Sequence, residues 1–196
     1  MEKFDYIHDI QNSYRKLLDS MAKPGSINNI KEEIDKLEVH SELPKELMLL
    51  ADVLLNLESS FYIKELEFQH YIKLHTFAKV EKLEETEFIF VDRKNYSEEE
   101  FIDLLEKVRI GTLQDPHLGG TLIVKVEKIT EDNILSLKGP GIKDKKYLGI
   151  VGLSREFIEK REEINSEFPM GVDMIFVDNS GNLVCIPRTT EVEVSI

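Results

Sequence analysis

Two apolar runs near the end of the chain, 172–177 and 183–186, flank Asn179-Ser180-Gly181-Asn182, a cluster of turn-forming residues. Runs of that length on either side of such a turn read as a β-hairpin of buried strands. It feeds a polar exit, Pro187-Arg188-Thr189-Thr190. An antiparallel pair placed there argues against an all-parallel sheet. Any fold for the rest of the chain has to accommodate it.

Upstream, Ile7, Ile10, Tyr14, Leu17, Leu18 and Met21 recur at helical spacing, and Pro24-Gly25 ends the pattern. Leu47, Leu50, Val53, Leu54 and Leu57 predict a second amphipathic helix entered through Pro44. The segment 60–63 is of strand length, and 64–75 fits a third helix. Phe88-Ile89-Phe90-Val91 is a buried-strand candidate. Ser97, with Glu100 at the third helical position, forms a capping box for a helix over 98–108. Strands are predicted at 121–126, 134–137 and 147–151, with a helix from Arg155 to about Ile164 entered at Ser154. Helices and strands alternate in the first half, and paired strands dominate the second. The pattern predicts a layered α/β fold, α/β/α around a mixed sheet.

A chain of 196 residues is the size of one domain, taken here as residues 1–196, and can bury roughly 70% of its unfolded surface. No apolar run approaches the roughly 20 residues of a membrane span, and the opening Met1-Glu2-Lys3-Phe4-Asp5 lacks the apolar stretch of an export signal. A cytoplasmic protein with no membrane partner is expected. The formal charge of −13 disfavours nucleic acid as a partner. More than half of that charge lies between Glu81 and Glu106, where ten acids meet three bases. Such a run is either a solvated face or a surface for a basic partner. Lys138 to Lys146 has the opposite character, with four lysines against Asp144 around a glycine turn. A phosphate-bearing molecule would be attracted there, at Lys138 and Lys143.

The motifs that announce chemistry are missing. There is no Gly-Lys-Ser or Gly-Lys-Thr of a phosphate loop, and no Gly-x-Ser-x-Gly elbow. Gly139-Pro140-Gly141 begins like a dinucleotide fingerprint but lacks the third glycine. Its glycines serve backbone geometry more readily than ligand contact. His8, His40, His70, His75 and His117 form no ligand pair on a helix face, so no metal site is expected. His117 follows Asp115-Pro116 and reads as a loop histidine. The lone Cys185 lies in an apolar run, where a thiol acts as a small hydrophobe. The best polar cluster is Arg188-Thr189-Thr190, whose guanidinium and two hydroxyls suit a phosphate or carboxylate. Alternatively, Arg188 pairs with an acid such as Asp173 and locks the hairpin to the body. Arg15 on the opening helix has the same two readings, ion pair or ligand contact. No catalytic residue is assigned.

Several of these segments together resemble the PhnH family of the bacterial carbon-phosphorus lyase system. They are the opening helix Gln11–Ala22 with Lys23-Pro24-Gly25, His75-Thr76, Gly111-Thr112 before Asp115-Pro116, Gly120-Thr121-Leu122-Ile123-Val124, and Leu137-Lys138-Gly139-Pro140-Gly141-Ile142. The pattern closes with Pro169-Met170-Gly171 and Pro187-Arg188-Thr189-Thr190. The resemblance runs from about residue 7 to 194, and departs at His117, where the family often has Glu after Pro. It implies a three-layer fold like the large domain of pyridoxal-phosphate transferases, without that cofactor or any other. It also implies a subunit of the lyase core complex, a component of a ribose 1-methylphosphonate 5-triphosphate synthase. That assembly, in which subunits of the G, H and I types act with an L protein, converts ATP and an alkylphosphonate to ribose 1-phosphonate 5-triphosphate and adenine. A separate radical subunit then breaks the carbon-phosphorus bond. The implied partners are subunits of the G, I and J types, with docking on the I subunit and a homodimer in isolation. Two other functions are compatible with the residues: a transferase subunit contributing Arg188, Lys138 or Lys143 to a shared phosphate site, and a stand-alone binding module for an anionic phosphate or nucleotide metabolite.

Overall fold

The computed structural model describes residues 3–38 and 43–195; His40 lies outside the described residues. In chain order the elements are α1 (His8–Ala22), β1 (Asn28–Asn29), α2 (Lys31–Lys36), α3 (Lys45–Leu54), β2 (Ser60–Tyr62), α4 (Leu66–Thr76), β3 (Lys79–Val80) and β4 (Phe88–Asp92). They continue with α5 (Glu98–Lys107), β5 (Thr121–Lys125), β6 (Lys128–Lys138), β7 (Lys146–Val151), α6 (Arg155–Ile164), β8 (Asp173–Val177), β9 (Asn182–Ile186) and β10 (Glu191–Val194). Seven strands form one sheet in the order β1-β9-β8-β5-β4-β2-β3, and three form a second, β10-β6-β7. From β3 to β8 the large sheet is parallel. The predicted hairpin β8–β9 turns it antiparallel, and β1 continues that sense.

The large sheet divides the core by strand alternation, since successive side chains point to opposite faces. Ile89, Val91, Leu122, Val124, Met174, Phe176, Val184 and Ile186 face one side. Phe90, Ile123, Ile175, Val177, Leu183 and Cys185 face the other, under the helical layer that contributes Leu17, Ile34, Leu47, Leu50, Phe68 and Ile72. On the first side, α5 and α6 share the covering layer with the small sheet, which contributes Leu135, Leu137, Leu148, Ile150 and Val192. The architecture is α/β with a mixed sheet, as the pattern predicts. The small antiparallel sheet within one outer layer is an addition to it.

Local chemistry explains several elements. Ser97 Oγ accepts from the Glu100 amide at 3.1 Å while Glu100 Oε2 accepts from the Ser97 amide at 3.0 Å, so the predicted capping box opens α5. Ser154 Oγ caps α6 by accepting from Phe157 N at 3.0 Å. The two helices meet through Phe101 and Phe157, whose rings stack 4.3 Å apart. Removing either ring would cost about 3–5 kcal/mol.

Helix α1 meets the amphipathic expectation only in part, with Ile10, Leu17 and Met21 packed against the helical-layer core. It buries Asp9, Ser13 and Ser20 along with Leu17. Ile7, Tyr14 and Leu18, on the opposite stripe, are 75%, 45% and 48% exposed. The buried polar groups are satisfied locally. Asp9 pairs with Lys36 of α2 at 3.1 Å, Ser13 Oγ donates to Asp9 O at 2.9 Å, and Asn28 Nδ2 donates to Ser20 Oγ at 2.9 Å. A second ion pair, Lys16 with Glu33 at 2.7 Å, also ties α2 to α1.

Candidate functional site

The exit from β9 is where the fold concentrates polar side chains. Just beyond the β8–β9 ladder, Arg188 N donates to Asp173 Oδ1 at 2.8 Å. Its Nε and Nη2 donate to Asp173 Oδ2 at 3.1 and 2.6 Å. Nη1 donates to the carbonyl of Pro116 at 2.8 Å. The guanidinium thereby joins the end of β9, the start of β8 and the 116–118 turn. A side chain on Gly119 would collide with this arrangement, since a Cβ there would lie 2.5 Å from both Arg188 Nη1 and the Gly171 carbonyl oxygen.

From behind, α6 supplies Arg161, which is only 1% exposed. Its Nη1 donates to Thr190 O at 2.9 Å and its Nη2 to Pro187 O at 2.7 Å, while Glu162 pairs with Nη1. Burial pulls the Arg161 pKa down, opposed by Glu162 and Asp173. The guanidinium stays cationic because arginine does not deprotonate in proteins. A buried charge is tolerated only when hydrogen-bonded, and two backbone carbonyls with a carboxylate meet that need. Sequence reasoning missed Arg161. The signal was present, because it shares a helical face with the buried Phe157 and Ile158.

Thr189 and Thr190 complete the turn, which closes by Thr190 N donating to Pro187 O at 3.0 Å. Thr190 Oγ1 and Arg161 Nε are buried without a hydrogen-bond partner. In front of the turn lies a cleft of 420 Å³, lined by Asn165, Ser166, Phe168 and residues 188–190, with Glu162 and Glu191 in its wall. Two guanidiniums thus stand among the carboxylates of Glu162, Asp173 and Glu191. The local field does not favour an anion.

The other candidates fall elsewhere. Lys138 ends β6 opposite Glu191, one strand from the turn. Lys143 is exposed in the β6–β7 loop, Arg15 is exposed on α1, and neither lines the cleft. The intervening glycines serve close packing. Gly139 (φ +143°) would put a Cβ 2.8 Å from Thr189 O, and a Cβ on Gly141 (φ +85°) would press on the Ala22 carbonyl oxygen. Cys185 is fully buried, and burial followed by the Asp173 charge pushes its thiol pKa up, so it packs as a hydrophobe. His117 is an exposed loop residue 3.9 Å from Asp115. Among the described residues, no group of three or more His, Cys, Asp or Glu is placed to hold a metal ion. No helix among them is long and apolar enough to cross a membrane.

Similarity to known proteins extends over nearly the whole chain. Residues 3–193 match the family model described as bacterial phosphonate metabolism protein (PhnH). A Stutzerimonas stutzeri protein named as C-P lyase subunit protein HtxG is 30% identical over 186 residues, covering 93% of this chain and 85% of that protein. The alpha-D-ribose 1-methylphosphonate 5-triphosphate synthase subunit PhnH of Rhizobium meliloti (strain 1021) is 26% identical over 191 residues, covering 96% and 92%.

Proposed function

Because the chain belongs to the PhnH family of bacterial phosphonate metabolism proteins, we propose that it acts as an assembly subunit of a carbon-phosphorus lyase core complex. In that role it supports the conversion of ATP and an alkylphosphonate to ribose 1-phosphonate 5-triphosphate and adenine. Residues 1–196 act as one unit in the cytoplasm, alongside subunits of the G, I and J types, and form a homodimer when those are absent. The observation that carries the reading is the apolar stripe at and just before α1, which is only partly covered: Ile10, Leu17 and Met21 pack against the core. Ile7, Tyr14 and Leu18 remain exposed while Asp9, Ser13 and Ser20 are buried. An apolar stripe in water is unfavourable for an isolated chain and suits one that works against companions.

The site geometry supports the same reading. Arg188, Thr189 and Thr190 are the best anion-binding candidates, and Arg188 is engaged by Asp173 and Pro116. The test is co-expression with the partner subunits, comparing wild type with Tyr14→Glu/Leu18→Glu. The double variant is expected to keep its thermal midpoint and to fall out of the co-purified complex, with adenine release from ATP and methylphosphonate lost in parallel. A variant that assembles normally would remove α1 as the docking face. Turnover by the purified chain alone would overturn the assembly role.

A further inference from the structure

The parallel strands of the large sheet lie in the order β3-β2-β4-β5-β8, whereas the chain forms β2 first, then β3 on one side of it and β4 on the other. The direction of winding therefore reverses between β2 and β4. In open parallel sheets, the crevice beyond the carboxyl ends of the strands at such a reversal is where ligands bind. Here it is bounded by residues 63–65, which follow β2, and residues 93–97, which follow β4.

The two segments are cross-linked. Asn95 Nδ2 donates to Glu65 Oε1 at 2.7 Å, and Lys64 Nζ lies over the Tyr96 ring, 4.9 Å from its centroid. Lys64 also pairs with Glu100 of α5 at 3.0 Å. Tyr96 is only 8% exposed, its carbonyl accepts from Arg93 Nη1 at 2.6 Å, and its ring meets Phe101 edge-on. Inside this frame two polar atoms are buried without a hydrogen-bond partner, Glu65 Oε2 and Tyr96 Oη. Glu65 stands at the N-cap of α4, yet its side chain does not cap that helix. No lysine, arginine or histidine among the described residues pairs with it. Lys64, Glu65 and Glu100 together leave the crevice with a net negative charge.

We propose that Glu65 Oε2 and Tyr96 Oη form a binding site for the primary ammonium group of a small amine, which reaches them past the exposed side chains of Lys64 and Asn95. A buried carboxylate needs a full set of hydrogen bonds or a cation. An ammonium supplies a charge-assisted bond to Oε2, donates to the phenol oxygen and offsets the negative charge. A hydroxyl would bridge the same two atoms but leave the charge uncompensated. A phosphate or carboxylate would meet Glu65 and Glu100 with like charge and is disfavoured. The inference concerns a different face from the α1 stripe and is independent of the family assignment.

The probe is propylamine, which is cationic at neutral pH. Calorimetric titration of the full chain at constant ionic strength is expected to show one site of millimolar affinity, weakened at least about ten-fold by Glu65→Gln and about three-fold by Tyr96→Phe. Glutamine at 65 keeps an oxygen for Asn95, and phenylalanine at 96 keeps the ring beneath Lys64. Tetramethylammonium has the charge without an N–H donor, and 1-propanol has a donor without the charge, so neither is expected to bind. Binding of either as tightly as propylamine overturns the ammonium assignment. Unchanged affinity in both variants puts the amine elsewhere and overturns the site. No heat from propylamine at roughly 100 mM leaves the two atoms to water and overturns the proposal. Should a variant fail to fold, the Tyr96 ring resonances of the parent decide: movement on adding propylamine upholds the site, and none overturns it.

Discussion

Arg188 and Asp173 are joined by three hydrogen bonds, one from the backbone amide and two from the guanidinium, with a fourth bond from Arg188 to the Pro116 carbonyl. Both side chains are largely withdrawn from solvent. The pair therefore acts as a fastener between the β9 exit and the start of β8. Truncation would leave the Pro116 carbonyl without its donor and the Asp173 carboxylate with only the backbone amide of residue 188. Arg188→Ala is expected to lower stability by about 2–3 kcal/mol, read as a drop in the denaturation midpoint. Arg188→Lys should recover less than half of that, because an ammonium cannot reproduce the fork that reaches both Asp173 and Pro116.

Arg161 grips the same turn from α6. Its carbonyl partners, Pro187 O and Thr190 O, flank Arg188 in sequence. Arg161→Met keeps much of the buried volume but takes the guanidinium donor from the Thr190 carbonyl and leaves the Pro187 carbonyl only the Thr190 amide, with an expected cost of about 2–4 kcal/mol. Because the two arginines hold one turn, Arg188→Ala and Arg161→Met should be non-additive by about 1 kcal/mol or more in a double-mutant cycle. Strict additivity would show that the two grips are independent.

How legible this was from sequence differs by element. The β8–β9 hairpin, the α5 capping box and the Ser154 cap were readable because each is a local signal within a few residues. β10 was missed although Glu191-Val192-Glu193-Val194 alternates perfectly. Four residues after a polar turn carry too little signal, and its identity as a strand comes from pairing with β6. The first half of β6 was missed for the opposite reason. Its residues 128–133 are mostly exposed, and a register shift between Thr130 and Leu135 interrupts the pattern. At the site, the choice between ligand and ion pair for Arg188 could not be made from sequence, because Asp173 and Pro116 approach it only through tertiary contacts. The exposed stripe of α1 was equally hidden. Its apolar spacing was visible, but which side the α2 ion pairs would bury was not.

The carboxyl of Asp52, whose Oδ2 is buried with no hydrogen-bond partner, gives the fold a pH-dependent stability. Its pKa in the folded chain lies above the unfolded value, so its contribution is intact in acid and is lost as pH rises through about 7. At roughly pH 8 the ionised group is expected to weaken the fold by on the order of 2–4 kcal/mol. Asp52→Asn should therefore raise the melting midpoint at that pH and change it little at about pH 4. Equal shifts at both pH values would show that the amide acts through packing and not through removal of the charge.

Gly141 and Gly152 separate close backbone approach from backbone strain alone. Both have positive φ, +85° and +105°. Alanine at Gly152 would have Arg93 Cγ as its nearest neighbour at 3.6 Å, an ordinary contact, so only conformational strain is added, about 1 kcal/mol. At Gly141 the same methyl would press on the Ala22 carbonyl oxygen and lie 2.9 Å from Pro24 Cδ, forcing the β6–β7 loop away from the end of α1. Gly141→Ala is expected to cost about 2–4 kcal/mol, well beyond Gly152→Ala. If this glycine instead existed to let a ligand approach, its replacement would leave the melting midpoint of the isolated chain as little changed as Gly152→Ala does, and thermal denaturation of the two variants side by side distinguishes these outcomes.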